Sequence, residues 1–211
     1  NGQSELIEIL TGLKRPVSGS VLVLGKKIDF PRNSPRRMFD AGIAHIPEDR
    51  HKKGLILDYS VAENLILGRH REPAFSTPVS INFTNVSAFS SKAAGDYGIY
   101  PPRIDMRAGA LSGGNQQKIV VARELSRQPR LLLVSQPTRG VDVGAIEFIH
   151  KKIIETRDHG CAVLLISAEL SEILSLSDRV GVIYRGQIAG VFGAGEVGEE
   201  QLGLLMMGGK A

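Results

Sequence analysis

Two short runs, Leu131-Leu132-Leu133-Val134 and Ala162-Val163-Leu164-Leu165-Ile166, contain no polar residue. A strand with one solvated face alternates apolar and polar residues. A wholly apolar strand is covered on both faces, as in the middle of a sheet flanked by helices. Helical patterns follow each run, an amphipathic one over Val143 to His159 and a shorter one over Glu169 to Leu176. Gly42 to Pro47 predicts another short buried strand, closed by its proline. Strands alternating with helices imply an α/β fold with a mostly parallel sheet. The 211 residues suffice for one domain, or one with a small inserted subdomain. With 42% hydrophobic and 23% charged residues the chain sits near globular averages, so disordered, collagen-like and coiled-coil classes are set aside.

The remaining elements follow from local signals. Apolar positions 6, 9, 10 and 13 recur at helical spacing, with Gly12 as a stop. Val21 to Leu24 predicts a strand closed by Gly25, and the Pro- and Arg-rich stretch Ile28 to Arg37 predicts a loop. Val61 to Leu67 is helical; Arg71 to Arg107 is weaker, broken by four prolines, with a helix expected near Val86 to Tyr97. Ser112 is placed to cap a helix running to about Arg127. Val180 to Tyr184 and Ile188 to Phe192 flank Arg185-Gly186-Gln187 as a hairpin, and Glu200 to Met207 predicts a closing helix. There is no internal repeat at a fixed period.

Several function classes receive no support. No apolar run approaches the roughly 18 residues of a membrane span, and no charged-then-apolar leader is seen, so neither insertion nor secretion is expected. The single Cys161 permits no internal disulfide and suits a reducing compartment; beside an apolar run it reads as packed. The excess of 26 basic over 22 acidic residues is too small to argue for nucleic acid, and 5% aromatics without Trp make a poor stacking platform. His45, His51, His70, His150 and His159 lack metal-ligand spacing. Arg32, Arg36 and Arg37, with His51-Lys52-Lys53, read first as solvated loops and second as a dock for an acidic loop of a membrane partner. Met206-Met207 fits a terminal apolar face, and the glycines between 186 and 198 fit turns.

Leu111-Ser112-Gly113-Gly114-Asn115-Gln116-Gln117 is more informative. A serine and two glycines at a helix start leave backbone amides open to an anion, and the helix dipole favours a phosphate there. Taken alone, Ser-Gly-Gly is also an ordinary turn with an N-cap. About twenty residues on, the apolar strand runs into Ser135-Gln136-Pro137-Thr138-Arg139-Gly140-Val141-Asp142. Together these segments resemble the ABC-transporter ATPase family, whose members carry an LSGGQ-like signature, a strand ending in Asp-Glu and a Pro-Thr-x-x-x-Asp loop. Asp178-Arg179 and the hairpin after it resemble a late family motif. Asn1-Gly2-Gln3-Ser4 falls where the phosphate loop ends, which puts that loop's first glycine and its strand ahead of Asn1.

The resemblance covers nearly the whole chain. It implies a P-loop NTPase fold with a core of roughly residues 1–56 and 119–211 and a helical subdomain of roughly 57–118. Pro47-Glu48-Asp49-Arg50, Leu111 to Lys118 and Pro137 to Gly144 look like the second ATPase half of tandem importers for simple sugars or nucleosides, and Ile146 to His150 leans toward the nucleoside branch. ATP and Mg²⁺ are the implied cofactors. Implied partners are another ATPase half, membrane-spanning permease subunits contacted through the helical subdomain and, indirectly, an extracytoplasmic substrate-binding protein. The implied location is the cytoplasmic face of the bacterial inner membrane, and no nucleic acid is expected.

The departures from the family pattern form a set. At the phosphate loop, with Asn1, Gly2, Gln3, Ser4 and Glu5 as binding candidates, Gln3 stands where a lysine would neutralise the β- and γ-phosphates; Ser4 keeps a hydroxyl as a weak metal ligand. Ser135-Gln136 replaces the Asp-Glu pair, so Gln136 holds the position of the general base, and Ala168 holds that of the family's histidine. Glu48 stands near an expected glutamine. A glutamine can position a water but cannot take its proton, and loss of a general base commonly costs about 10²–10⁴-fold in rate. The signature is nevertheless complete. In this family it contacts ATP held by the other half, so Ser112, Gly113, Gly114 and Gln116 would serve the partner's nucleotide, with Asp142 on the facing loop. Two other readings stand beside this degenerate, signature-donating half: an active homodimeric ATPase, and a soluble P-loop ATPase of DNA repair or translation. Turnover by the chain alone marks the first, and salt-dependent nucleic-acid binding the second.

Overall fold

The computed structural model describes residues 2–23, 25–28 and 34–209. Asn1, Leu24 and Arg32 lie outside these. The elements are α1 (Gln3–Leu10), β1 (Leu22–Val23), β2 (Lys26–Lys27), α2 (Pro35–Asp40), β3 (Ile43–Ile46), α3 (Val61–Leu65), α4 (Phe83–Asp96), α5 (Gly113–Leu125), β4 (Leu131–Ser135), α6 (Val143–Asp158), β5 (Ala162–Ile166), α7 (Leu170–Leu176), β6 (Arg179–Tyr184), β7 (Gln187–Gly193) and α8 (Glu199–Met206).

Both apolar runs form parallel strands, but only β4 is the doubly covered central strand expected; β5 lies at the edge of the three strands, with Ala162 exposed and Val163 to Ile166 half-buried, because its outer side faces a cleft. β4 lies between β3 and β5, with Ile43 opposite Leu131 and Leu131 opposite Ala162. Leu132, Leu133 and Val134 are fully buried because α5, α6 and the N-terminal elements cover the sheet. Burial also raises the Cys161 thiol pKa, which keeps the sulfur protonated. β6 and β7 form the antiparallel hairpin, with a register shift between Val182 and Ile183.

A cleft of about 500 Å³ separates β5 from β6. Val163, Leu165 and Ile166 line one side, and Val180, Val182 and Ile183 the other. Among the described residues β5 pairs only with β4 and β6 only with β7, so each strand keeps an unpaired edge.

The segment around residue 35 differs from the loop expected for Ile28 to Arg37: Pro35–Asp40 is helical. Ser34 accepts from the Arg37 amide, and Pro35 sits in the first turn, where a missing N–H costs nothing. Met38, only 1% exposed, anchors the turn to the core. Arg36 is not merely solvated, since it pairs with Asp40 at 3.0 Å and donates to the Gly68 carbonyl at 3.1 Å.

Leu55, Val61 and Ala93 of the mainly helical stretch share one buried cluster with Ile46, Ile119 and Leu132. Its start is fixed by polar groups. Ser60 and Glu63 form a reciprocal capping box, and the two Ser60 hydrogen bonds hold the Glu63 carboxyl below its ordinary pKa. Asn64 is fully buried; its Oδ1 accepts from the Ile56 amide at 2.9 Å and its Nδ2 donates to the Ile56 and Ser60 carbonyls, both at 3.0 Å. Asn64→Leu leaves these groups dry and unpaired. The expected result is a loss of about 2–4 kcal/mol, read as a lower urea midpoint at unchanged m-value.

Candidate functional site

Three chain segments bear the residues singled out in the sequence. The first is the start of α1. Gly2 caps the helix at φ +96, a left-handed conformation open to glycine, and an added Cβ would stand 3.2 Å from the Gly186 Cα. Ser4 and Glu5 are exposed on the first turn, and Gln3 reaches the mouth of the β5–β6 cleft beside Ile166 and Ser167.

The second is the start of α5. The Ser112 Oγ accepts from the Asn115 amide at 3.4 Å and from the Asn115 Nδ2 at 3.0 Å. With both lone pairs engaged, its O–H remains a donor. The first-turn N–H groups of Gly113 and Gly114 have no intrahelical acceptor. Three donors therefore lie at one helix tip that carries no bulky side chain. Gln116 behaves differently from its neighbours. It is only 6% exposed; its Nε2 donates to the Ala108 and Leu111 carbonyls, and its Oε1 lies 2.7 Å from the His51 Nε2. This side chain faces inward and holds the approach to the tip. Gln117, not among the expected site residues, is also buried, and its Nε2 donates to the Pro137 carbonyl at 3.0 Å.

The third is the stretch leaving β4. Ser135 is buried, and its Oγ has no partner among the described residues. Gln136 takes a left-handed backbone at φ 48, uncommon for a residue with a side chain and typical of tight functional turns. Its Oε1 accepts from the Ala168 amide at 3.2 Å, tying together the turns that leave β4 and β5. Asp142 caps α6 through the Ala145 amide at 2.9 Å, while its other oxygen lies over Gly114. Glu48 is ion-paired with Arg139.

Magnesium is normally held by one or two carboxylates together with phosphate oxygens. This strand end offers a hydroxyl and a carboxamide already engaged, and no group of three or more His, Cys, Asp or Glu suited to a metal occurs among the described residues. The residues present do not fit a carboxylate-held magnesium ion here.

A parallel α/β core flanked by helices, with glycines at the starts of α1 and α5, is the architecture of an ATP-binding cassette. The ABC transporter family model matches residues 1–139, and the chain belongs to that family. It is 47% identical over 208 residues to the guanosine import ATP-binding protein NupO of Bacillus subtilis (strain 168), covering 99% of this chain and 40% of that protein. It is 44% identical over 209 residues to the nucleoside import ATP-binding protein NupA of Lactococcus lactis subsp. cremoris (strain MG1363), covering 99% of this chain and 41% of that one. The chain thus spans about two fifths of the length of these curated relatives. Among solved structures, the ADP conformation of the ATP-binding cassette MJ1267 matches with a TM-score of 0.71 at 22% identity, over 98% of this chain and 80% of that one. The dimeric cassette MJ0796 matches at 0.74 and 18%, over 92% and 81%.

Proposed function

We propose that this chain is an ATP-binding half of an importer for nucleosides or simple sugars, and that it lends its signature tip to ATP held by a partner half. The observation that carries this reading is the contrast between two sites on one chain. The α5 tip keeps three donors and carries no bulky side chain of its own, whereas the strand end at Ser135-Gln136 has no acid and Gln3 brings no charge. A helix tip can hold a γ-phosphate contributed from outside, but a neutral strand end cannot take a proton from water. Nucleotide binding on the chain's own loop, through Gly2, Gln3, Ser4 and Glu5, is then weak. Asp142 lies beside the tip on the face offered to the partner.

The functions of the two relatives, guanosine and nucleoside import, favour a nucleoside as cargo. The β5–β6 cleft, apolar and bounded by two unpaired edges, suits the strand that the family resemblance places ahead of the phosphate loop. Val79, Ile81 and Phe83 are exposed apolar residues before and at the start of α4, within the 57–118 stretch that would meet a permease. No described helix is long and apolar enough to cross a membrane.

The test is ATP turnover by this chain alone, by the partner half alone and by the mixture. Turnover is expected in the mixture and to fall about 10²-fold or more with Ser112→Arg, which fills the tip, in line with losses when an oxyanion donor is removed. Full turnover by the mutant mixture, or by this chain alone, overturns the reading.

A further inference from the structure

We propose that Arg50 is a positioning residue that locks the α5 tip to the Arg139–Asp142 loop, so that the two halves of the partner-facing surface move as one body. The link to catalysis rests on the function proposed above; the mechanical coupling does not.

The anchor is built before Arg50 projects from it. Pro47 ends β3, and Asp49 caps a single five-residue π turn, Arg50–Gly54, by accepting from the His51 and Lys52 amides, both at 3.0 Å. These backbone bonds, the Lys52 one foremost, hold the Asp49 carboxyl below its ordinary pKa and keep the cap charged. At the far end the Arg123 Nη1 donates to the Gly54 carbonyl at 2.7 Å. The base of Arg50 is therefore pinned on both sides.

From that base one guanidinium spans two distant segments. Its Nη1 donates to the Arg139 carbonyl at 3.0 Å and its Nη2 to the Gly140 carbonyl at 3.1 Å. Its Nε lies 3.5 Å from the Gln116 Oε1, which His51 also holds. Two successive carbonyls taken by one planar fork fix orientation as well as distance, which an ammonium on a flexible stem cannot do. Glu48 adds a side-chain grip on the same loop through Arg139. The crossing also explains a glycine: a Cβ on Gly113 would stand 2.8 Å from the Arg50 Nη2 and 3.0 Å from the Gly140 carbonyl oxygen. The helix tip, the guanidinium and the loop meet in a space with no room for a methyl group.

The geometry separates positioning from charge. A cation beside a helix N-terminus also raises the local positive potential. Arg50→Lys keeps the charge and loses the fork, so a purely electrostatic role predicts that Lys suffices. A positioning role predicts that it fails.

The test has two arms. In this chain alone, amide hydrogen exchange is followed at Asn115 and Gln116 of the tip and at Arg139 of the loop, whose amides are hydrogen-bonded. With Arg50→Lys, exchange at both segments is expected to rise together by about tenfold or more, while β3, β4 and β5 keep wild-type protection. Wild-type exchange in both segments, or loosening of only one, overturns the coupling. In the assembled pair, Arg50→Lys is expected to lower kcat for ATP about tenfold with less than a threefold change in KM. Unchanged kcat overturns the catalytic link. If Ser112→Arg leaves turnover intact while the exchange result holds, the function reading has failed and the coupling has not. Should Arg50→Lys not fold, Gly113→Ala, which pushes the guanidinium away from the other side, is expected to give the same paired loosening; its absence counts equally against the proposal.

Discussion

Gly114→Ala is expected to destabilise the protein by about 2–3 kcal/mol, although a glycine-to-alanine change inside an exposed helix normally stabilises it by about 0.5–1 kcal/mol. The sign reverses because of what lies over the helix start. An ideal Cβ on Gly114 would meet the Asp142 Oδ2 at 2.5 Å and the Ala145 Cβ at 3.0 Å. The carboxylate must swing away, and its other oxygen then releases the Ala145 amide that it caps. A lost N-cap costs about 1 kcal/mol, and overpacking a tight contact costs about 1–3 kcal/mol. Gly203→Ala in α8 is the internal control. That glycine is helical, and a Cβ added to it would have nothing within 4 Å, so the ordinary gain of about 0.5–1 kcal/mol is expected there. Urea denaturation of both variants decides the matter. If Gly114→Ala stabilises as Gly203→Ala does, the packing of Asp142 on the signature helix is not a constraint in solution. On the proposed function, Gly114→Ala also lowers the turnover of the assembled pair, because it disturbs the phosphate-facing tip and the neighbouring loop together.

Most of the core was legible because its signals are local. Apolar runs without a polar break specified β4 and β5, and Ser112 at the head of a helical period specified the α5 cap. The helix Pro35–Asp40 was obscured by the Pro- and Arg-rich composition around it; Ser34 followed by Pro35 was a start signal available in the sequence, but the burial of Met38 that sustains the turn is tertiary. The site shows the same division. Ser112, Gly113 and Gly114 could be singled out from spacing and type. Arg50 could not be given a role, since its acceptors are main-chain carbonyls 89 and 90 residues away, which leave no trace in side-chain identity. Gln116 and Gln117 look alike in sequence, yet each is buried and bonded to a different segment, one to its own helix approach and the other to Pro137. Residue type announces a donor; only packing decides whether a donor faces a ligand or the scaffold.

Acid is expected to weaken the fold well before its carboxylates titrate, through His45 on β3. Burial lowers the His45 pKa from 6.5 to about 4, with Lys53 and Arg123 acting in the same direction and Glu124 opposing them. Its Nε2 is buried with no partner among the described residues, so a proton there would be a dry, unsolvated charge. The unfolded chain takes up this proton as pH falls through 6.5, whereas the native protein resists until about pH 4. Stability is therefore complete above pH 6.5 and is lost progressively down to about pH 4, at up to about 1.4 kcal/mol per unit. Across the whole window the loss amounts to about 3 kcal/mol. Between about pH 6.5 and 5 it amounts to about 2 kcal/mol, a range in which paired carboxylates such as Glu63 and Asp49 stay ionised in the folded and unfolded states alike. Urea midpoints at intervals from about pH 7 to pH 5 are expected to fall for the wild type and to flatten for His45→Leu, which removes the titrating ring. An equally steep decline in the leucine variant would assign the acid sensitivity to another group and place His45 in a wetter setting than its burial on β3 provides.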